Sequence, residues 1–268
     1  MAENIIKLVG LNQSPNVIFY SLKNPRNPIR YICPECILVD ERRIWTVHGL
    51  QGVFQFHKDG SISVEQEPEG GGLRYRVEMY PSTEEIEVTF TIINQSEHPF
   101  VKGCVGICVD FRQAPDFYGL DLDRGFVHLQ DRGLLSIEKT DRRFSRTGNM
   151  LTYYLAGQPL PEERTAPYGW GVSDDQPDAP FIALESKEKE WVLATAFETA
   201  KTLNYNVWAP HHGCMHSNPS FGPVPPQGEV VLRGKIYLFQ GRAEEAWRRF
   251  QKDFRVCPTY ETGLRGGG

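Results

Sequence analysis

The feature that most restricts what this chain can fold into is a period of two. Leu73–Tyr80 (LRYRVEMY) and Glu85–Asn94 (EIEVTFTIIN) alternate apolar and polar residues and are separated by a turn at Pro81-Ser82-Thr83. In an extended strand successive side chains point to opposite faces, so this alternation builds one apolar and one polar face and fits half-buried antiparallel pairing. The same pattern flanks Asp59-Gly60 in VFQFHKDGSISVEQE, where the dipeptide favours a tight hairpin turn. Further strand-like runs occur at Val17–Leu22, Gly125–Gln130, Leu134–Glu138, Met150–Ala156, Phe181–Ser186, Trp191–Phe197 and Val230–Phe239.

Phe100–Phe111 is more continuously apolar, as expected of a strand in the middle of a sheet. Arg30–Val39 (RYICPECILV) is apolar too, but Pro34 lacks a ladder donor, so at best an edge strand or a bend is expected there. Asn204–Pro219 (NYNVWAPHHGCMHSNP) concentrates hydrogen-bonding, titratable and aromatic side chains and reads as a functional loop held by strands on either side. Only residues 242–254 show helical spacing, with Ala246, Trp247, Phe250 and Phe254 on one stripe. The expected fold is therefore all-β: a large antiparallel sandwich with one C-terminal helix. A single domain over residues 1–262 is expected, with residues 263–268 as a flexible tail.

Charge and cysteine content narrow the function. A formal net charge of −5 argues against a nucleic-acid surface, which needs a basic face. No apolar run approaches the roughly 18 residues of a membrane span. The opening MAENIIKLVGLNQSP lacks a basic region followed by an apolar core, so a cytoplasmic location with six reduced cysteines is expected. There is no Gly-rich phosphate loop, no G-x-S-x-G elbow and no H-E-x-x-H motif.

Glu85–Phe100 (EIEVTFTIINQSEHPF) ends a strand in Asn, followed by a polar turn and a Pro that opens the next segment. Pro225–Phe239 (PPQGEVVLRGKIYLF) places Pro, Gly and Glu before a long strand. Together these resemble the galactose mutarotase-like β-supersandwich group, the aldose 1-epimerases and their relatives. The chain is also similar to bacterial proteins of comparable length that carry a His-x-x-Pro segment, here His216 to Pro219, before such a strand. The resemblance implies a supersandwich fold, in a group whose sugar chemistry runs on a histidine acid and a carboxylate base; that activity is not carried over to this chain. It brings no residue-by-residue match to the catalytic motifs of the epimerases.

The candidate residues come from the chain itself. His216, helped by His211, is the expected acid or base, because imidazole changes charge near working pH. Asp110 or Glu198 is its expected carboxylate counterpart. Trp208, with Asn206 and Asn218, offers an aromatic shelf and amides for a pyranose. Asp110 and Arg112 share a strand face, Arg124 precedes the strand carrying His128, and Trp45 and His48 lie before the first hairpin; Arg112, Arg124, His128, Trp45 and His48 are expected to hold the ligand.

Two metal readings are weaker. Cys33 and Cys36 have zinc-knuckle spacing, but Cys104 and Cys108 as the second pair lie about 13 Å apart along a strand. His212, Cys214 and His216 alternate like ligands, yet a fourth ligand is not identifiable. No metal and no cofactor are expected. The partner is a small-molecule carbohydrate, not nucleic acid or membrane. The expected function is a carbohydrate-active protein, an epimerase or isomerase of a sugar or sugar acid. The alternatives are a non-catalytic glycan-binding module and a metal-dependent enzyme built on His212, Cys214 and His216.

Overall fold

The computed structural model describes residues 5–11, 16–46, 53–68, 72–145, 147–165, 170–208 and 212–254. His48, His211 and residues 255–268, which include the expected tail, lie outside them. Two sheets form a sandwich. The first runs β1 (Ile6–Gly10), β2 (Asn16–Ser21), β3 (Ile29–Val39), β9 (Gly103–Asp110), β17 (His212–Phe221), β16 (Ala200–Trp208), β12 (Met150–Tyr154), β13 (Gly171–Val172), with β4 (Arg42–Trp45) also paired to β3. The second runs β11 (Gly133–Ser136), β10 (Gly125–Leu129), β14 (Phe181–Glu185), β15 (Trp191–Phe197), β18 (Glu229–Gln240), β8 (Glu85–Asn94), β7 (Leu73–Pro81), β6 (Ile62–Gln66), β5 (Val53–Phe56). Pairing is antiparallel except between β12 and β13.

The alternating runs behave as their period requires. Tyr75, Val77 and Met79 of β7 and Ile86, Val88, Phe90 and Ile92 of β8 are buried between the sheets, and Tyr75 stacks on Phe90 with centroids 5.5 Å apart. Truncating a buried aromatic such as Phe90 to Ala would cost about 3–5 kcal/mol in lost transfer energy and cavity.

The outer face of β14, β15 and β18 is covered by the helix α1 (Ala243–Asp253). Ala243, Ala246 and Phe250 bury against Phe181, Ala194 and Phe239, which explains why these strands read as unbroken apolar runs. Glu185, wholly buried at the end of β14, accepts the Ala243 N–H at 2.9 Å and Arg242 Nε at 2.8 Å. A carboxylate from another strand thus satisfies one of the orphan donors at the helix start. Among the described residues no helix is long and apolar enough to cross a membrane.

The two segments that carry the family resemblance are in contact. Buried Asn94 donates from Nδ2 to the carbonyls of His98, Val224 and Pro225 at 2.8, 3.1 and 3.2 Å, and its backbone exchanges hydrogen bonds with Gly228 and Gln227. The strand-ending Asn and the Pro-Gln-Gly turn are two sides of one junction.

Two sequence expectations need correction. β3 is a central strand, paired to β2 and β9, and not an edge. Its ladder to β9 passes from Ile32↔Cys108 to Cys36↔Gly106, so four residues of β3 span two of β9 and Pro34 falls in the excess. The bulge removes the need for a donor at Pro34. Asn204–Pro219, read as a loop, is mostly the β16–β17 pair, with Asn204↔His216 and Trp208↔His212 in register.

Candidate functional site

The central strands of the first sheet turn one face to the core and the other to a cavity of about 670 Å³. Inward go Tyr31 on β3, Val105, Ile107 and Val109 on β9, Met215 on β17, and Leu203, Tyr205 and Val207 on β16. The alternate positions face the cavity: Arg30 and Cys36, then Cys104, Cys108 and Asp110, then His212, Cys214, His216 and Asn218, then Asn204, Asn206 and Trp208. Residues two apart therefore share a face, by the same alternation that makes the core, and here the second face lines a ligand-sized space. Trp45, Trp170, Arg43, Arg112 and Glu35 complete the wall.

On the floor three groups form a line. Cys214 Sγ lies 3.2 Å from Nε2 of His216, and Nδ1 of the same ring lies 3.9 Å from Oε2 of Glu35. Glu35 reaches the cavity because it sits in the β3 bulge. The Cys108 thiol donates toward Cys214, which holds the Cys214 thiol well below a free cysteine and pushes Cys108 up. For His216, burial opposes the charged ring, but Cys214 beside it prevails and raises its pKa above the ordinary imidazole value. Thiolate and imidazolium stabilise each other here.

Asp110 lies at one end of the cavity and is 5% exposed. It accepts Arg30 Nε at 2.9 Å and also Arg30 Nη2, Arg112 Nε at 3.0 Å and Nη2 at 2.7 Å, and the Arg112 backbone N–H at 3.0 Å. Burial alone would raise its pKa, yet the two guanidiniums hold the carboxyl below the usual carboxylate value. An acid so saturated anchors arginines and is a poor base. Three arginines (Arg30, Arg43, Arg112) against two carboxylates (Glu35, Asp110) leave the fixed charge of the wall positive, in a chain whose net charge is −5.

The opposite end is a row of amides. Asn218 Nδ2 donates to Asn204 Oδ1 at 2.6 Å and Thr202 Oγ1 at 3.2 Å, and Asn204 Nδ2 donates to Thr152 Oγ1 at 2.7 Å. Asn206 Oδ1 and Trp208 Nε1 are buried with no hydrogen-bond partner among the described residues. One acceptor and one donor left over, two positions apart on one face, suit a hydroxyl group, which does both. Trp170 meets His216 edge-on at 6.4 Å.

Of the residues expected from sequence, His216, Asp110, Trp45, Arg112, Asn206, Trp208 and Asn218 all line this cavity. His211 and His48 lie outside the described residues. Three others are elsewhere. Glu198 is exposed in the turn after β15. Arg124 is buried beneath the carbonyls of Phe117 and Glu185, at 3.1 and 2.8 Å, and braces the chain there. His128, in the second sheet, stacks on Trp247 of α1 at 4.0 Å and bonds Asp178 at 2.7 Å. Sequence reasoning missed Glu35, Arg30, Trp170 and the part of Cys108, because bulge and register bring them in.

No protein-family model and no curated protein matches the sequence. Solved structures do match in fold. A galactose mutarotase-like protein from Lactobacillus casei aligns over 89% of this chain and 99% of its own, with a TM-score of 0.54 and 9% identity. One from Clostridium acetobutylicum aligns over 90% and 94%, with a TM-score of 0.50 and 8% identity. An α-N-acetylgalactosaminidase from Bifidobacterium bifidum, solved with GalNAc, aligns over 94% of this chain but only 38% of its own, with a TM-score of 0.54 and 10% identity. At these identities the likeness is one of fold, and on that level the chain resembles the galactose mutarotase-like proteins, as its Asn94 and Pro225–Glu229 segments imply.

Proposed function

We propose that the chain is a carbohydrate-active enzyme that binds a sugar acid in the cavity of its first sheet and epimerises or isomerises it by proton transfer. The observation that carries this reading is the Cys214–His216–Glu35 line on the floor of a cavity walled by amides, tryptophans and arginines. The amide row and the Trp208 edge bind hydroxyls, and the tryptophan faces take the apolar side of a ring. The excess arginine charge favours a substrate carboxylate. His216 is the proton carrier of the metal-free protein; Glu35 takes the part that Asp110 and Glu198 do not fill. The sugar-related names of the fold neighbours agree with a carbohydrate ligand in general; the sugar-acid class rests on the arginines alone.

A module that only bound glycans would need the amides and aromatics alone. The buried imidazole between a thiol and a carboxylate is what such a module would lack a use for. The test is a panel of neutral aldoses and their uronic acids, scored by calorimetric binding and by exchange NMR for interconversion of epimers. Binding of a uronate with interconversion that His216→Gln abolishes supports the enzyme. Binding without interconversion supports the module, and binding of no sugar overturns both.

A further inference from the structure

Four of the six cysteines (Cys36, Cys104, Cys108 and Cys214) line this one cavity, beside His212 and His216. For an acid–base site on a sugar, that many thiols are superfluous. Three of these side chains form a tight group: a sulfur from Cys108, a sulfur from Cys214 and a ring nitrogen from His216 all lie within 4.8 Å of one another. We infer that Cys108, Cys214 and His216 hold a thiophilic transition-metal ion, zinc by preference, with its open position facing the cavity.

The pairing of β9 and β17 explains the grouping. Cys214 pairs with Asp110 and Met215 with Val109, and the same register returns at Ser220↔Cys104, so His216 stands directly opposite Cys108. Cys214 is on the diagonal, two positions along the same face. Two central, core-backed strands therefore preset all three donors, and no loop has to close. Tetrahedral zinc with bonds of about 2.0–2.3 Å keeps its ligands roughly 3.5–3.8 Å apart, and the Cys214 Sγ–His216 Nε2 separation of 3.2 Å is already near that range. A disulfide is the poorer use of the two thiols, since diagonal positions of an antiparallel pair lie about 7–8 Å apart, beyond what most disulfides span.

The donor set and its surroundings fit a metal too. Two thiolates and an imidazole select zinc or cuprous copper over calcium or magnesium, which take oxygen. Glu35, 3.9 Å from Nδ1 of His216, stands where a carboxylate orients a ligating histidine so that Nε2 faces the ion. Three protein ligands with the fourth position on a cavity is the arrangement of catalytic rather than structural zinc. The metal triad weighed from sequence as an alternative had His212 in place of Cys108; His212 instead pairs with Trp208, 4.9 Å away by ring centroids. The site does not depend on what the cavity binds. When it is loaded, His216 is a ligand and no longer a proton carrier.

The test uses the reduced full-length chain, stripped of metal and then titrated with zinc and separately with cobalt. One zinc per chain is expected, with a thiolate-to-cobalt charge-transfer band in the cobalt form. Cys108→Ser and Cys214→Ser should abolish stoichiometric binding, Glu35→Gln should weaken it about 10–100-fold, and Cys104→Ser should leave it unchanged. Circular dichroism checks that each variant is folded; if the cysteine variants are not, the cobalt spectrum of the wild type alone decides. Absence of the sulfur–cobalt band, or zinc binding unaffected in folded variants, overturns the site. Sugar binding measured on the stripped protein is a separate readout, so failure of one proposal is not mistaken for failure of the other.

Discussion

His216 Nε2 and Cys214 Sγ lie 3.2 Å apart on one face of β17, two residues from each other in the chain. Strand alternation alone puts them together, and the β9 neighbour and the β3 bulge then add Cys108 and Glu35. The site is thus a property of three strands in register, and its predictions follow from that geometry.

In the stripped protein, His216→Gln should lower the interconversion rate by about 100-fold or more while leaving uronate affinity within a few fold, because general acid–base groups contribute roughly 10²–10⁴ to rate. The raised pKa of His216 has a further consequence. The imidazolium persists above the ordinary value of 6.5, and its favourable contribution, complete below that pH, is lost as pH rises through the folded-state value. Urea titrations from pH 5 to 9 would show that limb in the wild type and its disappearance in the variant.

Cys214 should be the fast-reacting thiol. With its pKa well below a free cysteine, alkylation by iodoacetamide in stripped protein should persist in mildly acidic buffer, whereas Cys33, pushed up by burial in the core, should stay inert. Peptide mapping after brief labelling at pH 6 identifies the site. Prior addition of zinc should protect it.

Asp110→Ala should destabilise the fold by about 1–3 kcal/mol, since it leaves two partly exposed guanidiniums facing each other without the buried carboxylate that holds them. The pH dependence has a definite sign. The Asp110 pKa is depressed in the folded state, so its stabilisation is present above the unfolded value of 3.8 and is lost as pH falls through the lower folded value. Urea titrations at pH 7 and pH 3 should show a difference between wild type and variant that shrinks at pH 3.

Arg112→Gln should distinguish charge recognition from hydroxyl recognition. Affinity for a uronate should fall by tenfold or more, consistent with about 1.5–3 kcal/mol for a charge-assisted hydrogen bond. Affinity for the matching neutral sugar should change little. Calorimetry with the two ligands side by side checks this.

Much of the fold is legible in the chain, and the reason is period. β7, β8, β15 and β18 alternate or run apolar because one or both of their faces are buried, and α1 shows its stripe because Ala246 and Phe250 must meet β14 and β15. The β16–β17 pair carries the same alternation, with Tyr205 and Met215 inward and Asn206 and His216 outward. Its density of polar groups is what makes it read as a loop. Pro34 misleads for a related cause: a proline argues against a central strand only where the ladder needs its donor, and the bulge to β9 removes that need. The site is only half legible. His216, Trp208 and Asn218 stand out by type. Glu35 and Cys108 are ordinary residues in apolar runs, and their roles depend on which strands are neighbours. Arg124 and His128 look functional by type, yet they serve packing against β14 and α1.

The most direct test of the account is the interconversion of uronate epimers by the full-length protein, followed by exchange NMR with and without bound zinc. The account predicts interconversion of at least one uronate by the stripped protein, suppressed when zinc is bound and abolished by His216→Gln. Binding of no sugar acid, or interconversion that His216→Gln leaves unchanged, would contradict it.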